Sequence, residues 1–490
     1  MRTRHSFELR AFPRGRQYFA RKPDRRRAAG GARRFDYVPG VRRALPLAFA
    51  AALAGCSGAT PAPATTPDGG APDTVVPAPP KTDLDRLNEL LAALEAEPSD
   101  PARRALVATF LHDVAYGATG FPIRAAGKLA VVYWDPDAHA GALALAGDLN
   151  GWSTSASTFA QPIMGFPLYV RIEGDPKPVA RSLYKLVRGG TEWLADPMAR
   201  RYGYDANGEF SLLEAGVAAG HLERWPGFHE SAGNLAARDL AVWVPPHPEA
   251  SGLLPLLVMQ DGQNLFGPGG AFGSWQADDA AEQAVASGDV RPFLIAGVPS
   301  SAARLDEYTH TQDTLPDFGT VGGKADAYAT FVTAGVVPFL RSRHQVRTEA
   351  AQTAILGSSL GGLVSLYVAQ KVPGVFGFAG SMSGTLSWGS IGQSNPTIRD
   401  LYVAAPPLGL SLYLDSGGDD GGGCSTLSAL DSELYHDQYC ETVRLRDTLL
   451  GLGWTIGKNL GYAWAPGAAH DEAEWKKRFP DVLRGWFPGK

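Results

Sequence analysis

Apolar residues recur along this chain with different periods in different stretches, and the changes of period mark its organisation. From Thr82 the spacing is helical. Thr82-x-x-Asp85 has the form of an N-cap, and Leu84, Leu87, Leu90, Leu91 and Leu94 share one face of the helix that follows. Pro98 and Pro101 end that helix, and a second is expected from about Ala102 to Tyr116. From Lys128 the period becomes two. LAVVYWDP, GALALAGDLNGW, PLYVRIEG, SLYKLVRGG and EFSLLE alternate apolar positions between Gly, Pro, Asp and Asn turns, which predicts an antiparallel β-sandwich. Beyond about residue 236 short apolar runs (LAVWVP, LLPLLVMQ, FLIAGV, TAIL, SLYLDSG) alternate with helical stretches. Those stretches are SWQADDAAEQAVAS, residues 325–339, LVSLYVAQ and CETVRLRDTLLGLG. Continuous apolar runs suit strands covered on both faces, and the alternation implies a right-handed, parallel α/β sheet.

One junction in that region carries chemistry. TAIL is followed by Gly357-Ser358-Ser359-Leu360-Gly361 and then by the helix LVSLYVAQ. With 58 glycines in the chain, a Gly-x-Ser-x-Gly match alone is expected by chance about 0.4 times. The strand–turn–helix setting is what gives it meaning. It is the context of a nucleophile elbow, where strained backbone lifts a serine hydroxyl above the sheet and glycines let strand and helix approach. Ser359 is at the apex, and Ser358 is one residue off it.

A serine needs a base, and in this fold order an acid and then a histidine follow the nucleophile. Only His436 and His470 lie downstream. His436 falls in the polar run SALDSELYHDQYC, whereas His470 follows the strand-like NLGYAWA and the turn Pro466-Gly467, so His470 is the expected base. The acid is expected in the loop after SLYLDSG, with Asp415 ending the strand and Asp419 or Asp420 orienting the imidazole. An oxyanion needs two N–H donors. Leu360 supplies one, and the loop Asp261-Gly262-Gln263-Asn264 after LLPLLVMQ supplies the other. This chemistry needs no metal or cofactor, and the acid-rich loop lacks EF-hand spacing.

Composition adds a location and removes a partner. The 490 residues are 44% hydrophobic and 19% charged, as in soluble globular proteins of more than one domain. Residues 1–43 hold fourteen Lys/Arg against three acids. The rest of the chain has 31 basic and 47 acidic residues, a net −16, which excludes nucleic acid as a natural partner. RRALPLAFAAALAGC, ending at Cys56, has the n-region, apolar run and cleavage site of an export signal. Its Leu53-Ala54-Gly55-Cys56 resembles a bacterial lipobox, which implies a lipid on Cys56, anchorage to a membrane, and a place on the periplasmic face or cell surface. Residues 57–81, rich in Pro, Ala and Thr, then form an extended tether. In an exported protein the two remaining cysteines, Cys424 and Cys440, favour a disulfide; free buried thiols are the alternative.

Several motifs together resemble one esterase family, that of enterochelin esterases, esterase D and feruloyl esterases. They are Asp261-Gly262-Gln263-Asn264-Leu265-Phe266, Arg304-x-x-Glu307-Tyr308, Gly357-Ser358-Ser359-Leu360-Gly361-Gly362, Gly417-Gly418-Asp419-Asp420, and His470-Asp471-Glu472 with Trp475. The resemblance spans about 240–487. Ala146-Gly147-Asp148-Leu149-Asn150-Gly151-Trp152, with Trp193-Leu194-Ala195-Asp196-Pro197, is similar to early-set immunoglobulin-like domains that precede such enzymes, some of which bind sugars through exposed tryptophans. The resemblance implies Asp420 as the acid and Gln263 as the second oxyanion donor. Arg304 and Trp275 are candidate substrate contacts, with an Arg304–Glu307 salt bridge as the alternative for Arg304. Two departures, Leu360 where enterochelin esterases more often carry an aromatic after the nucleophile and the insertion holding Cys424 and Cys440, count against a siderophore substrate and leave the ester chemistry untouched.

The expected organisation is a basic extension and lipoprotein signal (1–56), a linker (57–81), a helical segment (82–118), an early-set β-sandwich (119–235) and an α/β-hydrolase domain (236–490). The expected activity is hydrolysis of a small ester, led by a siderophore such as a ferric catecholate trilactone. An acetyl or feruloyl ester of polysaccharide is the alternative. From another class, the chain reads as a glycan- or siderophore-binding lipoprotein with a vestigial site.

Overall fold

The computed structural model describes residues 81–176, 181–214, 218–230, 233–407 and 409–489. The basic extension, Cys56 and nearly all of the tether lie outside the described residues. Order begins with the expected cap. Thr82 Oγ1 accepts from Asp85 N–H (3.2 Å) and Asp85 Oδ2 accepts from Thr82 N–H (2.9 Å), closing a capping box on α1 (Asp83–Ala96). Helix α2 runs Asp100–Ala115, two residues earlier than the prolines suggest, because Pro101 occupies the first turn, where a missing N–H costs nothing.

Ten strands follow: β1 Ile123–Ala125, β2 Lys128–Trp134, β3 Leu143–Gly147, β4 Ser157–Thr158, β5 Leu168–Gly174, β6 Ser182–Arg188, β7 Glu192–Leu194, β8 Arg201–Asp205, β9 Gly208–Glu214 and β10 His221–Phe228. Strands β1, β2 and β5 make a small antiparallel sheet. Its β2 explains why LAVV is apolar without a break. Ala130 and Val132 pack on α1 and α2, whereas Leu129 and Val131 pack on Leu143, Leu145, Tyr184 and Leu186 of the facing sheet. The alternating faces of a strand are both buried here.

The facing sheet does not stop at residue 235. Strand β10 pairs with β8 on one side and antiparallel with β11 (Arg238–Val244) on the other. Through β11 it continues into β13–β12–β16–β17–β18–β19, where β12 is Leu256–Gln260, β13 Leu294–Val298, β16 Thr353–Ser358, β17 Phe378–Met382, β18 Ser411–Ser416 and β19 Leu460–Trp464. Strands β14 (Gln312–Leu315) and β15 (Gly319–Gly322) form a separate hairpin. The six strands from β13 to β19 are parallel, as expected, and β11 is antiparallel to them.

Helices cover both faces. Leu257, Met259, Ala354 and Leu356 pack beneath α3 (Ala277–Ala286) and α11 (Glu472–Trp486). Leu256, Val258 and Ile355 face the other way, toward α5 (Ala325–Thr330), α6 (Val337–Arg343) and α7 (Leu360–Lys371). A six-residue π-helical stretch, Phe331–Val336, lies between α5 and α6 inside the expected 325–339 helix. The remaining helices are α4 (Arg304–Glu307), α8 (Ile398–Ala404), α9 (Ala429–Tyr435) and α10 (Tyr439–Gly451).

From β12 the chain steps to β13 on one side, then returns past β12 to β16 on the other. The carboxyl ends of β12 and β16 therefore diverge at a topological switch point, where open α/β sheets bind ligands.

Candidate active site

The loops leaving β12 and β16 at this switch point are the DGQN and GSSLG segments. Ser359 adopts φ 55°, ψ −129° between β16 and α7, a region a non-glycine residue enters only under strain. Hydrogen bonds hold it there: its N–H donates to Met382 O (3.0 Å) and its O accepts from Thr385 N–H (3.1 Å). A Cβ on Gly357 would stand 2.4 Å from Gly361 C, and one on Gly361 would stand 3.0 Å from Gln260 Cβ. Strand and helix approach too closely there for any side chain. Ser358, one residue off the apex, is buried. Ser359 Oγ is 3.5 Å from Thr385 Oγ1. Leu360 opens α7, so its N–H belongs to the first turn, which has no intrahelical acceptors and carries the positive end of the helix dipole.

The second loop is fastened on three sides. Asp261 takes left-handed backbone (φ 53°), and Gly262 lies so near β13 that a Cβ would come within 2.6 Å of Gly297 C. Gln263 Oε1 accepts from Ser300 N–H (3.0 Å) while its Nε2 donates to Ser300 Oγ (3.1 Å). Asn264 Nδ2 donates to Glu472 Oε1 (2.8 Å), at the start of α11 and two residues past His470. Burial pushes the Glu472 carboxyl above its ordinary range.

His470 is where the acid expectation meets the structure. Its Nδ1 is 2.5 Å from Oδ1 of Asp437, a carboxylate only 4% exposed. The Asp437 Oδ2 accepts from Ser383 Oγ (2.7 Å) and from Gly417 N–H. Ser383 Oγ in turn accepts from Trp475 Nε1 (3.1 Å) and Arg478 Nη2 (2.9 Å), and Arg478 is paired with buried Asp415. The Trp475 ring meets the imidazole edge-on at 5.0 Å. The expected acid, Asp420, is exposed, and its Oδ1 accepts only from Gly422 N–H (3.1 Å). Asp419 pairs instead with His436 Nδ1 (2.7 Å). The physical reason lies in the connection from β18 to α10. Residues 418–436 run through α9 before Asp437 returns to Gly417, so the carboxylate beside His470 reaches the strand end from downstream. One signal in the sequence pointed there: Asp437 stands three residues before Cys440, and Cys424 and Cys440 are joined in a disulfide.

Two further expectations change. Trp275 is 3% exposed and packs on Trp475 and Phe479, so it supports the wall behind the histidine and cannot reach a substrate. Arg304 does not pair with Glu307 but with Asp261. Its Nε and Nη2 donate to the two oxygens of Asp261 at 2.8 Å each, a bidentate pair that fixes the DGQN turn. Glu307 belongs to Arg238 (3.2 Å). Sequence reasoning also missed Glu433 on α9. Its carboxyl accepts from Ser387 Oγ (3.3 Å), lies within electrostatic reach of His470, and is pushed up to about 7, chiefly by burial.

The comparisons with known proteins follow this geometry. The family model described as "Putative esterase" matches residues 236–485. The uncharacterized protein YbbA of Bacillus subtilis (strain 168) is 24% identical over 266 residues, covering 53% of this chain and 94% of its own. Among solved structures, the enterobactin esterase of Shigella flexneri is 14% identical, with 73% of this chain and 92% of that one covered at a TM-score of 0.38. The ferulic acid esterase of the anaerobic fungus Anaeromyces mucronatus is also 14% identical, with coverages of 54% and 90% and a TM-score of 0.40.

Proposed function

This chain belongs to the Putative esterase family, and from that premise we propose that it is a serine carboxylic-ester hydrolase working through an acyl-enzyme. Ser359 Oγ attacks the ester carbonyl as His470 Nε2 takes its proton. The oxyanion is held by the N–H of Leu360 and an N–H of the Gly262–Gln263 turn. His470 then hands the proton to the departing alkoxide, and a water deprotonated by the same imidazole releases the acid. The observation that carries the reading is the buried Asp437 against His470 Nδ1. A carboxylate there requires the ring proton on Nδ1, which leaves Nε2 as the base, and it stabilises the imidazolium formed next.

The substrate is a small ester, either siderophore-like or an acetyl or feruloyl ester of carbohydrate. Two observations favour the uncharged second kind. Arg304, the candidate contact for an anionic substrate, is already paired with Asp261. The insertion that brings Asp437 to His470 also carries the exposed Asp419 and Asp420, acid that opposes a ferric tricatecholate. A panel of p-nitrophenyl acetate, enterobactin with and without iron, methyl ferulate and acetylated xylan separates the two. The expected order places methyl ferulate or acetylated xylan above ferric enterobactin. Ser359→Ala is expected to leave only weak residual turnover. Full activity in that variant would remove the serine mechanism and return the chain to the binding-protein class.

The lipobox resemblance supports export, with a lipid on Cys56 and anchorage to a bacterial membrane. Mass spectrometry of detergent-extracted protein is expected to find an acylated Cys56 as the first residue. A chain still carrying residues 41–55 would refute it.

A further inference from the structure

The connection that delivers Asp437 is built unlike the rest of the hydrolase region. From Gly418 to Asp431 no residue is buried, and five glycines stand between positions 417 and 423. Helix α9 that follows buries only Ser432. Such a stretch has almost no apolar contact to oppose local opening. Its downstream end is held by polar bonds: Gln438 Oε1 accepts from Leu386 N–H (3.1 Å) and Ser387 Oγ (3.3 Å), and Gln438 N–H donates to Ser432 O (2.8 Å). Its upstream end is held at Gly418 by backbone hydrogen bonds to Ala468 and Gly467 (3.2 and 3.0 Å) and at Asp419 by His436 (2.7 Å), and beyond the glycines by Cys424, bonded to Cys440 of α10. Cys440 itself is fully buried, and Arg444 of the same helix donates to Cys424 O. Asp437 and Gln438 sit inside the closed loop, both in left-handed backbone (φ 49° and 58°), a conformation that non-glycine residues keep only when the surroundings impose it.

We propose that the Cys424–Cys440 bridge is a positioning device for the reaction: by closing the 424–440 loop it holds Asp437 on His470, and the esterase depends on its being oxidised. This rests on Asp437 acting as the acid of the site. Without the bridge the glycine-rich arm gains freedom, and Asp437 must hold two consecutive left-handed residues against that freedom with hydrogen bonds alone. The imidazole then loses its fixed tautomer and orientation for part of the time. The consequence is a fall in kcat with KM little changed, since the imidazole serves proton transfer while the Ser359 and Asp261–Asn264 loops stay where they are. Reduction by a water-soluble phosphine breaks the S–S bond with consumption of one water: phosphorus supplies the two electrons and takes the water oxygen as its oxide, and the two water protons end on the two thiols.

The test is a cycle on the full chain, with Asp437→Asn and Cys424→Ser/Cys440→Ser made singly and together and assayed on p-nitrophenyl acetate. In the otherwise native chain, opening the bridge is expected to lower kcat about tenfold or more while near-UV circular dichroism is kept. In the Asp437→Asn background it is expected to cost less than about twofold, because residues acting through one contact are not additive. A bridge that merely stabilised the fold would lower both backgrounds equally, and that result overturns the proposal. Unchanged kcat in the serine pair also overturns it. Should the serine pair fail to fold, phosphine reduction of the folded native chain replaces it, with thiols at 424 and 440 confirmed by peptide mapping. Loss of near-UV signal together with activity on reduction then counts against a local role. An Asp437→Asn variant with native kcat would instead sink the assignment of the acid itself, whatever the bridge does.

Discussion

At the scale of single residues, the site depends on which carboxylate is dry. Asp420 and Asp437 are both aspartates near the carboxyl end of β18, yet one is solvated and the other is 4% exposed, with both oxygens accepting hydrogen bonds. A carboxylate in water interacts with a neighbouring charge weakly, whereas one shielded from solvent fixes an imidazole firmly. Asp437→Asn is therefore expected to lower kcat by as much as about 10⁴-fold, by favouring the wrong tautomer. Asp420→Asn is expected to stay within about twofold, as surface substitutions generally do. Steady-state kinetics on a chromogenic ester measures both, and the reverse order would restore Asp420. Asp437 is not marked in the sequence because it lies far beyond the first turn after the strand. The chain instead spends nineteen residues, 418–436, before bringing it back.

At the scale of elements, the junction between β16 and α7 is the part that was most legible. Glycines at 357 and 361 are demanded by close approach: a Cβ at 357 would fall 2.4 and 2.5 Å from the backbone C and O of Gly361. Backbone cannot yield as a flexible side chain does. Gly357→Ala should push α7 away from its strand, at a cost of about 1–3 kcal/mol from overpacking, and should carry the Leu360 N–H off its mark. A lowered Tm together with a fall in kcat is the expected result. An unchanged Tm would mean that the junction is looser than the distances say. The π-helical stretch at Phe331–Val336 gave no such signal. Its residues keep the apolar spacing of an ordinary helix, and its Gly335 is required by close packing, with Glu230 Cγ only 2.4 Å from where a Cβ would be.

At the scale of the whole molecule, the change of period near residue 236 marks a change of architecture without being a seam. Strand β10, on the far side of that position, pairs with β11. Its Trp225 packs on Phe339 at 4.8 Å, and Phe228 packs on Phe331 and Phe339 at 5.7 and 4.9 Å. A chain begun at residue 236 strips the partner from β11 and empties two aromatic sites, each worth about 3–5 kcal/mol. It is expected to aggregate or to melt roughly 10 °C or more below a chain begun at residue 219. Equal Tm values from differential scanning calorimetry would show that the α/β part is independent of β10.

What the sequence determined by itself is whatever depends on neighbours along the chain. Helical and strand periods, the capping box at Thr82, the glycines around Ser359 and the chain order of serine before histidine all follow from local sterics and from the need to bury one face or two. What only the tertiary structure decided is which distant groups share a dry space. It put Asp437 against His470, tied Arg304 to Asp261 and Asn264 to Glu472, buried Trp275 in the wall behind the imidazole, and carried one sheet through residue 236. The desolvation that gives a carboxylate its strength arises from every element packed around it. No window of sequence contains that sum, which is why an acid can be recognised as present in a sequence but identified only in the fold.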